Sequence, residues 1–167
     1  WRNIRYTRFN AVEFAARFPA NGVTITNIST TSISGRTDIV AYITGYAVVF
    51  DLLSNTFLPG AFGDHITSFG GQLFDSLQMS ILEFIRAGAC GSYGTVIEPY
   101  SLPEKFPDPM ACFWHLRGFS LAETYWMSVR NPYNGVFIGD PLTSPYAVRP
   151  TVTIITPASN AVVSGIV

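Results

Sequence analysis

Asp38-Ile-Val-Ala-Tyr-Ile-Thr44, closed by Gly45, is the stretch on which the fold turns. It is a nearly continuous apolar run of strand length. A strand with one wet face alternates apolar and polar residues, and this one does not. It therefore reads as a strand buried on both faces, and such strands belong to parallel sheets covered by helices. Downstream, Leu77, Ile81, Phe84 and Ile85 keep helical spacing, with Gly88 placed to stop the helix. Ala89 to Ile97 then resumes as a strand of small residues, which let a helix or another backbone approach closely. This strand–helix–strand order predicts an α/β domain.

Working outward, Phe57-Leu-Pro-Gly-Ala-Phe-Gly63 reads as loop. Toward the N-terminus, Asn10 to Phe18 predicts a short helix capped by Asn10, with Val12, Phe14 and Ala15 as its apolar face and Pro19 as its stop. Gly22 to Ile28 alternates as a strand, and a Ser/Thr-rich link follows to Ser34. Toward the C-terminus comes a proline-rich loop, Glu98 to Pro109, of a length that often carries function. Ser120-Leu-Ala-Glu123 is a capping box that starts a helix running to about Val129. Asn134-Gly135 marks a tight turn, Val136-Phe-Ile138 a short strand, and Gly139-Asp140-Pro141 its end.

The pattern changes after Tyr146. Pro150-Thr-Val-Thr-Ile-Ile-Thr156 alternates as one strand and resembles the opening strand of a bacterial immunoglobulin-like domain. Residues 1–147 are thus expected to form the main domain, and 148–167 a linker with an orphan β-strand. Such a strand is a sticky edge that must pair somewhere or dangle.

Composition narrows the function classes. The 167 residues are 48% hydrophobic and only 13% charged, where ordinary soluble domains carry roughly 25%. Disorder is excluded. The net charge of −1 argues against nucleic-acid binding through a basic surface. Nine of the ten basic residues are Arg and only Lys105 is Lys, and interfaces favour Arg and aromatics over Lys. Protein partners or self-assembly are therefore expected. No apolar run is long enough for a transmembrane helix. The chain opens Trp1-Arg2-Asn3 with no initiator Met and no signal peptide, which reads as a processed or truncated end. Cys90 and Cys112 allow one disulfide, and two buried free thiols are the plainer reading.

Four segments carry a resemblance. They are Leu58-Pro-Gly-Ala-Phe-Gly-Asp-His-Ile-Thr-Ser-Phe-Gly-Gly71; Gln78-Met-Ser80 leading into Arg86-Ala-Gly-Ala-Cys-Gly-Ser-Tyr-Gly-Thr-Val-Ile-Glu-Pro99; Gly118-Phe-Ser-Leu-Ala-Glu-Thr-Tyr-Trp-Met-Ser128; and Phe137-Ile-Gly-Asp-Pro-Leu142. Together they resemble a family of uncharacterised secreted bacterial proteins related to the caspase-like, gingipain-like fold. The resemblance covers about residues 38–146. It implies a three-layer α/β sandwich with a mostly parallel sheet, of which this chain would be the C-terminal part, and an extracellular or cell-surface location. It supplies no activity, since fold analogy alone cannot. Peptidases of this fold are expected to place a Cys where the strand Asp38–Thr44 ends. Gly45-Tyr46 stands there instead, which argues against peptidase activity.

The candidate chemistry is sparse. His65, beside Asp64, is the best reactive group, because an adjacent carboxylate could orient its imidazole. Ser68 and Cys90 are candidate nucleophiles, and a His65 base needs only to neighbour one of them in space. A plain alternative stands beside each: a loop histidine bound to backbone, a turn serine, an inert core thiol. Glu98, at a strand end, is a candidate pocket residue with Asp64. Cys112 and His115 have the right types for a metal pair, but a zinc site needs three or four ligands. No phosphate-cradling motif occurs, and no metal or cofactor is expected. Three readings follow: a non-catalytic structural or interaction module, a cysteine or serine hydrolase using His65 with Cys90 or Ser68, and a carbohydrate or surface binder using Trp114, Tyr125, Trp126 and Tyr133.

Overall fold

The computed structural model describes residues 11–98 and 102–165. The proposed helix cap at Asn10, and Pro99 in the proline-rich loop, lie outside the described residues. The elements in order are α1 (Val12–Ala16), β1 (Ile39–Ile43), β2 (Phe57–Asp64), α2 (Leu82–Arg86), β3 (Gly91–Thr95), α3 (Met110–His115), α4 (Leu121–Ser128) and β4 (Gly135–Gly139). The four strands form one sheet in the order β1-β2-β3-β4. β1, β2 and β3 run parallel, and β4 joins β3 antiparallel. This is an open, mostly parallel α/β sheet, as the opening stretch predicts.

A separate apolar core lies on each face. On one face Phe84 of α2 packs with Ile39, Tyr42, Val49, Leu52, Phe57 and Ala61. On the other, Leu121, Tyr125 and Val129, in and just after α4, and Ala111 of α3 pack with Phe62 and Tyr93. The division follows from strand geometry, because successive side chains point to opposite faces. α1 joins the second layer, where Phe14 and Phe18 meet Phe113 at ring centroids 6.0 and 6.2 Å apart.

Several expectations need correction. Phe57–Gly63 is an interior strand and not a loop. Its pairing with β1 is irregular between Ile39 and Ala41, which absorbs Leu58, Pro59 and Gly60 as a bulge. Gly63 belongs there because the Phe84 ring rests directly on it and leaves no room for a Cβ. β1 is an edge strand and only half-buried. The strand buried on both faces is β3, at all five positions. Thr24 to Ile28 joins no ladder, and only an isolated bridge links Ala20 and Val23. A strand-like pattern becomes a strand only where another backbone accepts its hydrogen bonds.

Leu77 is fully exposed and outside α2, which starts at Leu82. The preceding residues are held as loop: Gln78 Oε1 accepts from Thr67 Oγ1 and from the Phe69 amide. The Ser120 capping box forms as predicted and starts α4. Gly88 follows α2 at φ +102°, a left-handed conformation that suits glycine. Residues 148–165 are exposed throughout and pair with no strand among the described residues.

Candidate functional site

In open α/β sheets, ligands gather outside the carboxyl ends of the parallel strands. Here that rim comprises Thr44 after β1, the end of β2 with the loop 65–71, and Thr95 at the end of β3. The rim is tied down. The Thr44 amide donates to the Asp64 carbonyl at 3.1 Å, and the Ile66 amide to the Tyr46 carbonyl at 3.0 Å. Thr95 Oγ1 donates to the carbonyls of Thr67 and Ser68, both at 2.8 Å. The Gly71 amide returns to the Thr95 carbonyl at 2.9 Å. Gly71 and Gly94 meet backbone to backbone, with no room for a Cβ on either. The loop after β2 is thus folded over the end of β3.

His65 sits under this loop and is 1% exposed. Its Nε2 donates to the Met79 carbonyl at 3.0 Å, and its ring lies 5.7 Å from the Phe84 ring. This places it on the α2 face. Asp64, fully buried, faces the other way: it is in register with Tyr93, and its charge helps to raise the Tyr93 pKa. Tyr93 stacks on Tyr125 at 6.1 Å, in the α4 layer. Neighbours in sequence, Asp64 and His65 contact opposite layers of the sheet.

Nor is His65 brought to Cys90. The register sets Phe62 beside Gly91 and Asp64 beside Tyr93. His65 therefore lies about four residues, roughly 13 Å, along the strands from Cys90. Cys90 precedes β3 at the opposite end of the sheet, where its Sγ accepts from the Gly60 amide at 3.2 Å. Cys90 and Cys112 are both free thiols, half-buried against the α4-side core. Ser68 shares the rim with His65, and what fixes it there is its carbonyl, held by Thr95.

Glu98 lies just beyond β3. It meets Lys105, whose Nζ is 3.4 Å from Glu98 Oε2 and 3.4 Å from the Ile97 carbonyl. Lys105 is 1% exposed. Lysine is almost never fully buried without a partner, so this pair is an unusual feature of the site. Sequence reasoning marked Lys105 as the only lysine and Glu98 as a candidate, but no periodicity could join them across the proline-rich loop.

His115 is another buried titratable group. It is fully buried on α3, with its ring edge-on to Phe62 at 5.2 Å and to Tyr146 at 5.6 Å. Burial pushes its pKa down to about 4, against backbone hydrogen bonding at Gly60 and Phe119, which acts to raise it. Burial, and secondarily Asp64, hold the Tyr93 phenol above its ordinary range. Both groups are neutral core members at neutral pH. Asp140 is a turn former: Oδ2 accepts from Thr143 Oγ1 and Oδ1 from the Leu142 amide, which together lower its pKa. Among the described residues, no three His, Cys, Asp or Glu side chains are grouped to hold a metal ion. Of the four aromatic candidates, Tyr125 is fully buried, Trp114 half-buried, Trp126 half-exposed and Tyr133 exposed. Among the described residues, no helix is long and apolar enough to cross a membrane.

No family model, curated protein or solved structure matches the chain.

Proposed function

We propose that the chain is a non-catalytic structural or interaction module of a secreted bacterial protein, built on a caspase-like three-layer sandwich. One observation carries this reading: His65 and Cys90, the candidate base and thiol, stand at opposite ends of the sheet. His65 is buried and committed to the Met79 carbonyl at one end of the sheet. Cys90 is at the other end. A hydrolase needs base and nucleophile within hydrogen-bond reach, beside space for a substrate. The rim where that space would lie is closed by the loop 65–71. Against this closed rim stands a fully exposed, apolar C-terminal segment, which favours contact with other protein.

The test is thiol reactivity combined with turnover. Alkylation of Cys90 by iodoacetamide in a Cys112→Ser background should proceed at the rate of an ordinary half-buried thiol. His65→Ala should leave that rate within about twofold, because no imidazole activates the sulfur. Hydrolysis of a peptide or ester library that is lost in His65→Ala, Cys90→Ser or Ser68→Ala would overturn the reading.

A further inference from the structure

We infer that residues 150–156 of one copy add as an outer strand to β4 of a second copy of this chain. The inference rests on the reading of the protein as an interaction module and names its partner. Thr151-Val-Thr-Ile-Ile-Thr156 is six consecutive β-branched residues. Their stiff side chains favour extended backbone and disfavour helix. Yet all six are exposed and join no ladder among the described residues. No charged residue occurs after Arg149, so nothing in the segment resists pairing.

β4 is the complementary feature. It forms the outer edge of the sheet next to β3, and no described strand covers its other side. Gly135-Val-Phe-Ile-Gly139 contains no charge and no proline, the devices that usually blunt an edge. Its five residues match the length of the free segment. Strand addition of this kind draws affinity from main-chain hydrogen bonds and specificity from alternate side chains.

The root of the segment favours another copy over its own edge. Pro145 packs against Gly60, and the backbone of Tyr146 and Ala147 lies directly on Gly118. The Tyr146 ring meets His115 on α3. The chain therefore leaves from the helix layer and not from the sheet edge. Only Val148 and Arg149 lie between that anchored backbone and Pro150, a tether of roughly 10 Å when extended, against a radius of gyration of about 15 Å for a domain this size. Within the segment, Val152, Ile154 and Ile155 are 74–86% exposed, so reciprocal exchange would cover two such strands at once.

The experiment is sedimentation of the 167-residue chain up to about 100 µM, with amide hydrogen exchange on the same samples. The wild type should show a species of twice the chain mass. Ile154→Asp lies in an exposed segment and leaves the core intact, which near-ultraviolet circular dichroism checks. It should weaken association at least about tenfold. Exchange at Val136–Ile138 and at Thr151–Ile155 should be slowed in the dimer and fast in the variant. A chain monomeric at every concentration would overturn the inference, as would association indifferent to Ile154→Asp. Protection appearing at Ile39–Ile43 would assign the wrong edge. Protection of β4 independent of concentration would mean pairing within one chain. None of these outcomes alters the thiol-reactivity result, so this inference and the non-catalytic reading fail separately.

Discussion

β1 and β3 are both five residues long, and their compositions are opposite. Ile39-Val-Ala-Tyr-Ile43 is apolar throughout, yet it stands at the sheet edge and only Ile39 and Tyr42 are buried. Gly91-Ser-Tyr-Gly-Thr95 has one large side chain, yet every residue is buried. Approach distance accounts for the difference. Gly91 lies beneath Phe137 and Leu121, and Gly94 lies against the backbone of Gly70–Gly71 and the Ile81 side chain. Neighbouring layers close directly onto β3 because it brings so little bulk of its own. Burial here measures how many neighbours a strand has, not how apolar it is.

The sharpest way to break that comparison is to add bulk to the central strand. Gly94→Val should cost about 3 kcal/mol, because it meets the Gly70–Gly71 backbone, which cannot rotate away, as well as the Ile81 side chain. The urea midpoint measures this. A near-neutral result would mean that the loop over β3 yields freely.

Acid should have the next largest effect, through the core that β2 and β3 share. His115 is neutral in the fold, with a pKa of about 4 against 6.5 when unfolded. Its contribution is complete above pH 6.5 and is lost as pH falls toward 4, because the unfolded chain binds the extra proton. Between pH 7 and pH 5 the loss should be about 2 kcal/mol. Urea titrations at the two pH values measure it, and His115→Met should flatten that slope.

The smallest effect belongs to the edge. Val40→Ala should cost less than about 1 kcal/mol, since its side chain is only half-buried. A loss equal to that of Gly94→Val would show that β1 is covered on both faces after all.

The same comparison explains what was legible in the sequence. The apolar run at Ile39–Ile43 identified the type of sheet correctly, because parallel strands collect such residues. It misplaced the strand within the sheet, because edge and centre differ in neighbours that lie far away in sequence. β3 was legible through its small residues, and α4 through a cap that is local in sequence. β2 was not: Pro59, Gly60 and Gly63 are turn signals by local chemistry, and only the Phe84 ring on Gly63 and Pro145 on Gly60 give two of them another purpose. The candidate site was legible only as residue types: adjacency of Asp64 and His65 does not say which layer each side chain meets, because a strand sends adjacent side chains to opposite faces. The Lys105–Glu98 pair depends on how a proline-rich loop folds back, which no short-range pattern records.

That pair has a practical consequence. Lys105 is the only lysine in the chain, and folding removes it from the surface. Amine-directed reagents therefore find no lysine side chain on the native fold. An acyl group located on Lys105 marks a molecule whose loop has opened, so the residue serves as an internal reporter of that opening.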